Sequence, residues 1–163
     1  MKRLIAYLNN QQQDLYNLYE ESGQFNKNQL KEIEIGLRQN VDVSIYAKPE
    51  FDWEQMMEIR MALEDNLDVS YFADPKFNSD QMVQISWGLK DGLNVKLYAD
   101  PKFNDKQMNE IRDGLKKNLD VKKYCKPEYT AGEMRYIKWG LERGQKINTI
   151  LKEMKNVNPV ILQ

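Results

Sequence analysis

Proline recurs in this chain at a fixed interval, which constrains the fold more than any other feature of the sequence. Pro49, Pro75, Pro101 and Pro127 are each separated by 26 residues. Four similar hexapeptides surround them: Tyr46-Ala-Lys-Pro-Glu-Phe51, Phe72-Ala-Asp-Pro-Lys-Phe77, Tyr98-Ala-Asp-Pro-Lys-Phe103 and Tyr124-Cys-Lys-Pro-Glu-Tyr129. A period of this length is typical of arrays in which small units stack on one another. Each repeat can therefore be judged against the others.

The period divides the chain into five repeats, residues 23–48, 49–74, 75–100, 101–126 and 127–152. Residues 1–22 are expected to form an N-terminal helical cap, and residues 153–163 a C-terminal tail. Because the chain has 163 residues, we expect the whole array to behave as one domain. The sequence thus predicts an all-α, right-handed-type α-solenoid of five helix–turn–short-helix repeats with helical N- and C-terminal caps.

Local signals mark the start, the buried face and the end of a long helix in each repeat. In the third repeat, Asn78 and Gln81 form a capping-box pattern. Met82 and Ile85 then recur at the spacing of one helix face, and Gly92 lies where a left-handed residue ends a helix. The same signals occur in every repeat. The methionines at the Met82 position are expected in the core: Met56, Met82, Met108 and Met134.

A shorter segment follows the long helix in each of the first four repeats, and it begins with Asp or Asn, which are favourable N-cap residues. The segments are Asp42–Ala47, Asp68–Ala73, Asn94–Ala99 and Asp120–Cys125. The proline two residues later disfavours helix just before it. We predict a helix of one or two turns, of α or 3₁₀ type, with a β-strand as the alternative.

Glycine recurs near the end of the long helices, as Gly36, Gly88, Gly114 and Gly140, with Ala62 in the second repeat. A glycine inside a helix costs about 1 kcal/mol relative to alanine. Its recurrence therefore indicates a structural need, which we interpret as close approach between the backbones of neighbouring helices.

The ends of the array are expected to differ from its middle. Apolar residues before the first repeat predict one or two N-terminal helices: Leu4, Leu8, Leu15, Tyr16 and Tyr19. The fifth repeat has no proline after its short segment. Residues 147–154 are therefore expected to continue as a longer C-terminal helix, which ends near Pro159.

Composition excludes several kinds of chemistry. The chain has no histidine and one cysteine, so an intrachain disulfide, the common His/Cys zinc sites and Ser-His or Cys-His nucleophile pairs are absent. Cys125 occupies the position of an alanine in other repeats and is expected to be a small buried hydrophobe. No apolar run approaches the ~18 residues of a membrane span, and the N-terminus does not resemble a signal peptide. We expect a cytoplasmic protein without catalytic residues, metal or cofactor.

The side of each long helix opposite the core differs between repeats. This side is apolar in the second and third repeats and polar in the fourth, where it carries Asp105, Asn109 and Asp113. Exposed apolar area of this kind marks interaction sites, and tryptophan is favoured at binding hot spots. The candidate partner-binding residues are Trp53, Met57, Met61, Val83, Trp87 and Trp139. The alternative is that these side chains pack against each other or against the N-terminal helices.

Charge is distributed unevenly along the chain. Residues 1–114 carry a net charge of −7 and residues 115–163 a net charge of +6. Basic side chains near aromatic ones could hold phosphates and stack bases. The candidate anion-binding residues are Lys116, Lys117, Lys122, Lys123, Arg135, Lys138 and Arg143. Nucleic-acid binding is therefore an alternative function, although the repeat pattern also explains the nearby Tyr124 and Tyr129.

The pattern Tyr-Ala-Asp-Pro-Lys-Phe-Asn-x-x-Gln-Met-x-x-Ile-x-x-Gly-Leu resembles short helical repeats in largely uncharacterised proteins of gut Gram-positive bacteria, their phages and mobile elements. The resemblance covers about residues 20–150. It implies helical repeats and supplies no catalytic residue. It also suggests a second function, in which the acidic body occludes a host defence nuclease as an anti-CRISPR protein would. Our main expectation is a non-catalytic module that binds a partner protein of unknown identity, with homodimerisation through the same face as one version.

Overall fold

The computed structural model describes residues 8–156. The predicted contribution of Leu4 to an N-terminal helix, the predicted helix end near Pro159 and the tail beyond residue 156 lie outside these residues. Within them, every regular element is helical and no strand occurs. The strand alternative for the short segments is therefore wrong.

Seven α-helices and four 3₁₀ helices make up the described chain. The α-helices are α1 Asn10–Glu21, α2 Lys27–Arg38, α3 Trp53–Glu64, α4 Ser79–Lys90, α5 Asp105–Lys116, α6 Ala131–Glu142 and α7 Ile147–Met154. The 3₁₀ helices are Val43–Ile45, Val69–Tyr71, Val95–Leu97 and Val121–Lys123. Each 3₁₀ helix follows a long helix and precedes a proline, as predicted, and α7 is the predicted longer helix of the fifth repeat.

The chain forms two compact units, residues 1–82 and residues 83–163. In the N-terminal unit, α1 packs on α2 and α2 packs on α3. In the C-terminal unit, α5 packs on α6 and α6 packs on α7. Helices that are consecutive in sequence are thus neighbours in space within each unit. None of the helices described between residues 8 and 156 has the length and apolar character needed to cross a membrane.

The predicted start and stop signals are confirmed in atomic detail. In α3, the Asp52 carboxylate accepts a hydrogen bond from the backbone N–H of Gln55, and the Gln55 side chain accepts one from the backbone N–H of Asp52. Asn66 then adopts φ 57° after the helix, and the Leu67 N–H donates to the Ala62 carbonyl oxygen, 2.9 Å away. The left-handed Asn66 and this bond are typical of a Schellman motif, which satisfies carbonyls that the helix leaves unpaired.

Methionine and isoleucine side chains form the core of the long helices. Met56, Met82, Met108 and Met134 have no solvent exposure, which confirms their predicted place. Tyr46, Tyr98 and Tyr124 are also fully buried, and their hydroxyls donate to the backbone carbonyl oxygens of Glu32, Gln84 and Glu110. Burial raises the pKa of all three hydroxyls, so they remain hydrogen-bond donors at neutral pH.

These tyrosines explain three of the four recurrent glycines and correct our interpretation of them, whereas Gly140 faces the Ile150 side chain. A Cβ atom built on Gly36, Gly88 or Gly114 would overlap the hydroxyl oxygen of the tyrosine that follows ten residues later. The close approach is thus made by a side chain of the same repeat, and the proposed contact between helix backbones is wrong. In the second repeat the tyrosine position holds Phe72, which has no hydroxyl, and the glycine position holds Ala62.

The glutamine in the capping boxes of α2, α3 and α5 also joins one repeat to the next. The Gln55 side chain donates from Nε2 to the carbonyl oxygens of Pro75, 3.2 Å away, and Phe77, 2.6 Å away. Gln29 and Gln107 make the equivalent bonds to the next proline turn. In α6 this position holds Glu133, which accepts from the Thr130 N–H but has no N–H with which to reach a further turn.

Candidate interaction surface

All three tryptophans of the chain reach solvent. Trp53 is 38% exposed, Trp87 45% and Trp139 51%, whereas the methionines of the core are 0% exposed. Packing among the described residues thus leaves a large part of each tryptophan side chain in contact with water, whereas it covers the core methionines completely.

Three of the exposed apolar side chains share one repeat position. Met61, Trp87 and Trp139 occupy equivalent places in the second, third and fifth repeats, and each is at least 42% exposed. The same position holds the half-buried Ile35 in the first repeat and Asp113 in the fourth. One position thus points to solvent while its chemistry varies between repeats.

In the N-terminal unit, Trp53, Met57 and Met61 follow one another at intervals of four residues along α3, and we call them the α3 stripe. Trp53 and Met61 are exposed and Met57 is half-buried. On a helix, residues three or four positions apart are neighbours. Glu54 therefore lies beside Met57, and Asp65 lies just beyond Met61.

An ion-pair cluster fixes the flank of α3 against α2. The Arg60 guanidinium contacts the Glu32 carboxylate at 2.9 Å and also pairs with Glu64. Arg60 and Glu32 are buried, so neither charge can be removed without stranding the other. One cation is shared by two carboxylates, which leaves this cluster with a net negative charge.

An open cleft of about 520 Å³ lies where α2 and α3 end. Its walls are mostly polar and include three carboxylates. They are formed by Gln39, Asn40, Val41, Asp42, Leu63, Glu64, Asp65 and Asn66. Helix C-termini carry partial negative charge, which adds to that of the carboxylates.

In the C-terminal unit, Trp87 is covered on one ring face by Arg112, whose guanidinium carbon lies 5.0 Å from the ring centroid. Hydrogen bonds from Arg112 to Gln84, at 3.2 Å, and to Asn109, at 3.1 Å, hold the guanidinium in place. Val83, the other predicted partner-binding residue of α4, is half-buried. The exposed part of this surface is therefore chiefly Trp87.

Trp139 lies beside an open cleft of about 400 Å³ at the end of α5 and along α6. Arg143 stacks on the Trp139 ring, with the guanidinium carbon 3.7 Å from the centroid. Tyr136 and Glu142 also line the cleft. The tryptophan is thus held in a defined orientation while half of its surface stays in water.

Most of the predicted anion-binding residues are engaged in ion pairs within the C-terminal unit. Lys138 is buried and contacts Glu110 at 2.6 Å and Asp113 at 2.5 Å. The remaining pairs are Lys116–Asp91, Lys117–Asp113, Lys117–Glu142, Lys123–Asp120 and Arg135–Glu110. Among the described residues, Lys122 makes no ion pair and Arg143 is stacked on Trp139. Five of the seven predicted anion-binding residues therefore already contact carboxylates of this unit.

The ion pairs follow a spacing that could have been read from the sequence. Arg60 contacts Glu32 and Lys138 contacts Glu110, in each case 28 residues earlier. Arg112 contacts Gln84 at the same spacing. The interval is one repeat plus two residues, so the contact joins neighbouring helices. The net charge of a region does not reveal this 28-residue spacing.

Cys125 is half-buried, and its Sγ lies 3.0 Å from the Leu97 carbonyl oxygen. Burial raises the pKa of the thiol to about 11. Because the thiolate is the reactive form, this cysteine is unreactive at neutral pH.

Comparison of the chain with protein-family models, with curated proteins and with solved structures gives no match. Among the described residues, no group of three or more Cys, Asp or Glu side chains is placed to hold a metal ion. The surface itself therefore carries the argument about function.

Proposed function

We propose that the chain is a non-catalytic, protein-binding α-solenoid of the cytoplasm, built from five repeats of right-handed type, which presents tryptophan and methionine side chains to a partner protein. The observation that carries the proposal is the shared position of Met61, Trp87 and Trp139, each exposed to solvent. Exposed tryptophan and methionine are typical of binding surfaces, because both bury large area when a partner covers them.

The contacts within the repeats support a scaffold role. Capping boxes, buried tyrosine hydroxyls and the glutamine side chains satisfy backbone polar groups in the same way from repeat to repeat. A scaffold of this kind holds its surface side chains in fixed positions, which lowers the entropic cost of binding. The variable, exposed positions are then where specificity would reside.

Affinity capture with quantitative mass spectrometry tests the proposal. The tagged protein would be incubated with lysate of a gut Gram-positive bacterium, beside the variant Trp53→Gln/Met61→Gln/Trp87→Gln. The matched control is Lys27→Gln/Lys31→Gln, which changes exposed positions of the first repeat that are already polar. We expect a protein that the wild type and the control retain and the variant loses, with unchanged helical circular dichroism.

Sedimentation velocity tests whether the partner is a second copy of the same chain. A concentration-dependent dimer that the triple variant abolishes would support it. The proposal fails if the wild type is monomeric and captures nothing, or if the variant captures the same proteins as the wild type. Cooperative loss of structure in the variant would place the stripe in the core and would also contradict the proposal.

A further inference from the structure

We propose that the surface around the α3 stripe binds a cationic amphipathic segment of a partner protein, with apolar side chains on Trp53, Met57 and Met61 and lysine or arginine side chains at the acidic cleft. This inference rests on the proposed function and specifies the chemistry of the partner at one surface.

The charge of the N-terminal unit favours a cationic partner. Its described residues, 8–82, contain 15 Asp and Glu but 6 Lys and Arg. Three of the six cations are held in ion pairs: Arg38 with Glu34, Arg60 with Glu32 and Glu64, and Lys76 with Asp74. The surface is therefore strongly anionic, and an approaching cationic segment is attracted and oriented by it.

The negative charge lies next to the α3 stripe. On α3, Glu54 neighbours Met57 and Glu64 neighbours Met61. Asp65 follows directly after the last residue of the helix. The acidic cleft begins at the same helix end and adds Asp42. At about 520 Å³, the open cleft accommodates the end of a lysine or arginine side chain. Anionic groups thus flank the stripe and continue beyond its C-terminal end.

The apolar side chains of the α3 stripe suit an amphipathic partner helix. Methionine is flexible and polarizable and therefore adapts to different side chains, whereas tryptophan supplies a rigid anchor. A stripe that runs along a helix for two turns fits the spacing of apolar residues on a partner helix. Charge complementarity then selects a helix with lysine and arginine beside its apolar face.

Isothermal titration of the full chain with synthetic helices tests the inference. The probe is a peptide of leucine and lysine, about 16 residues long, with leucine on one helical face. Two counterparts of equal length replace lysine by glutamate, or leucine by serine. We expect binding of the leucine–lysine peptide alone, and a loss of roughly tenfold or more in affinity between about 50 and 300 mM salt.

Two pairs of substitutions locate the site. Asp42→Asn/Glu54→Gln removes one charge from the acidic cleft and one beside the stripe, and the asparagine can still accept the hydrogen bond from the Ser44 N–H. Asp14→Asn/Glu21→Gln removes two exposed charges from α1 as the matched control. We expect the first pair to weaken binding about three- to tenfold and the control to leave it unchanged. Met57→Gln/Met61→Gln should also weaken binding of the leucine–lysine peptide, because it removes apolar contacts of the α3 stripe.

Equal effects of both charge pairs, binding of the serine–lysine peptide, or no binding of any peptide would overturn the inference. Equally tight binding of the leucine–glutamate peptide would also overturn it, yet would leave the proposed protein-binding role intact. Failure of that role appears elsewhere, as loss of the distinction between wild type and stripe variant in affinity capture.

Discussion

The Tyr98 hydroxyl occupies the space that a Cβ atom on Gly88 would fill. From there it donates a hydrogen bond to the Gln84 carbonyl oxygen, 3.2 Å away. Ala62 and Phe72 form the corresponding pair in the second repeat. In the first four repeats the two positions therefore change together, since glycine accompanies a hydroxyl and alanine accompanies its absence. In the fifth repeat Gly140 faces the Ile150 side chain instead.

This pairing predicts a strong coupling between the two positions. We expect Gly88→Ala to lower the free energy of unfolding by about 1–3 kcal/mol, because the new methyl group and the hydroxyl cannot share one space. Tyr98→Phe should cost about 1 kcal/mol through its lost hydrogen bond. Urea unfolding of the double variant should show less loss than the sum of the single variants, since the overlap is gone. A strictly additive result would contradict the steric explanation.

The glutamine contacts predict an asymmetry between internal and terminal repeats. Gln55→Glu keeps the capping acceptor but removes the N–H group that reaches the Pro75 and Phe77 carbonyls. We expect a loss of about 1–3 kcal/mol in the free energy of unfolding, because two buried carbonyls lose their donor and meet a carboxylate. Glu133→Gln is the control and should change stability by less than about 0.5 kcal/mol. Equal effects at the two positions would refute the role of Nε2.

Asp113 predicts a pH dependence of stability. Burial alone would raise its pKa, but hydrogen bonds from Lys138 and Lys117 outweigh burial and hold the pKa below the ordinary value of 3.8. A carboxylate with a lowered folded-state pKa stabilises the fold above its unfolded-state pKa, and this contribution is lost as pH falls through the folded-state value. Asp113→Asn should therefore destabilise the protein at pH 7.

Urea unfolding at stepped pH checks this sign. The difference between wild type and Asp113→Asn should shrink below the unfolded-state value of 3.8 and disappear once the folded carboxylate is protonated. Asp105→Asn on the same helix makes no ion pair among the described residues and is the control. A difference that stays constant down to the acid transition would exclude a contribution from the charge.

Cys125 predicts slow thiol chemistry. Because burial raises the thiol pKa to about 11, we expect a disulfide reagent such as Ellman's reagent to react with the folded protein far more slowly at pH 7 than with the urea-unfolded chain. The rate should rise as pH approaches the thiol pKa. Fast reaction of the folded protein at neutral pH would show that the thiolate is accessible.

The long helices and their ends could be predicted from the sequence because their signals are local. Asp52 and Gln55 stand three residues apart, and the same pattern recurs at each period, so chance matches are easily set aside. The glycine contacts were misinterpreted because the tyrosine partner is the residue that follows the next 3₁₀ helix. The sequence did contain a signal for this contact, because the second repeat replaces both glycine and tyrosine, with Ala62 and Phe72. The signal becomes clear only when the two repeat positions are compared together.

The surface was predicted less well, since exposure depends on how helices pack. The sequence placed Trp53 and Trp87 opposite the core but could not say whether a neighbouring element covers them. The ion pairs of the basic residues were also not predicted, because Lys138 contacts Glu110, which lies 28 residues earlier. The second role of Gln55 was missed since the capping box already explained that residue.

Glu133 bears on how such a chain can change length in evolution. A duplicate of an internal 26-residue block placed ahead of α6 would follow Gln107 and bring its own glutamine, so both junctions would keep a donor to the next proline turn. A block placed directly behind α6 would meet the Glu133 carboxylate instead, and its turn carbonyls would lack a donor. We therefore expect duplication or loss of a block to be tolerated ahead of α6 and to weaken the junction behind it.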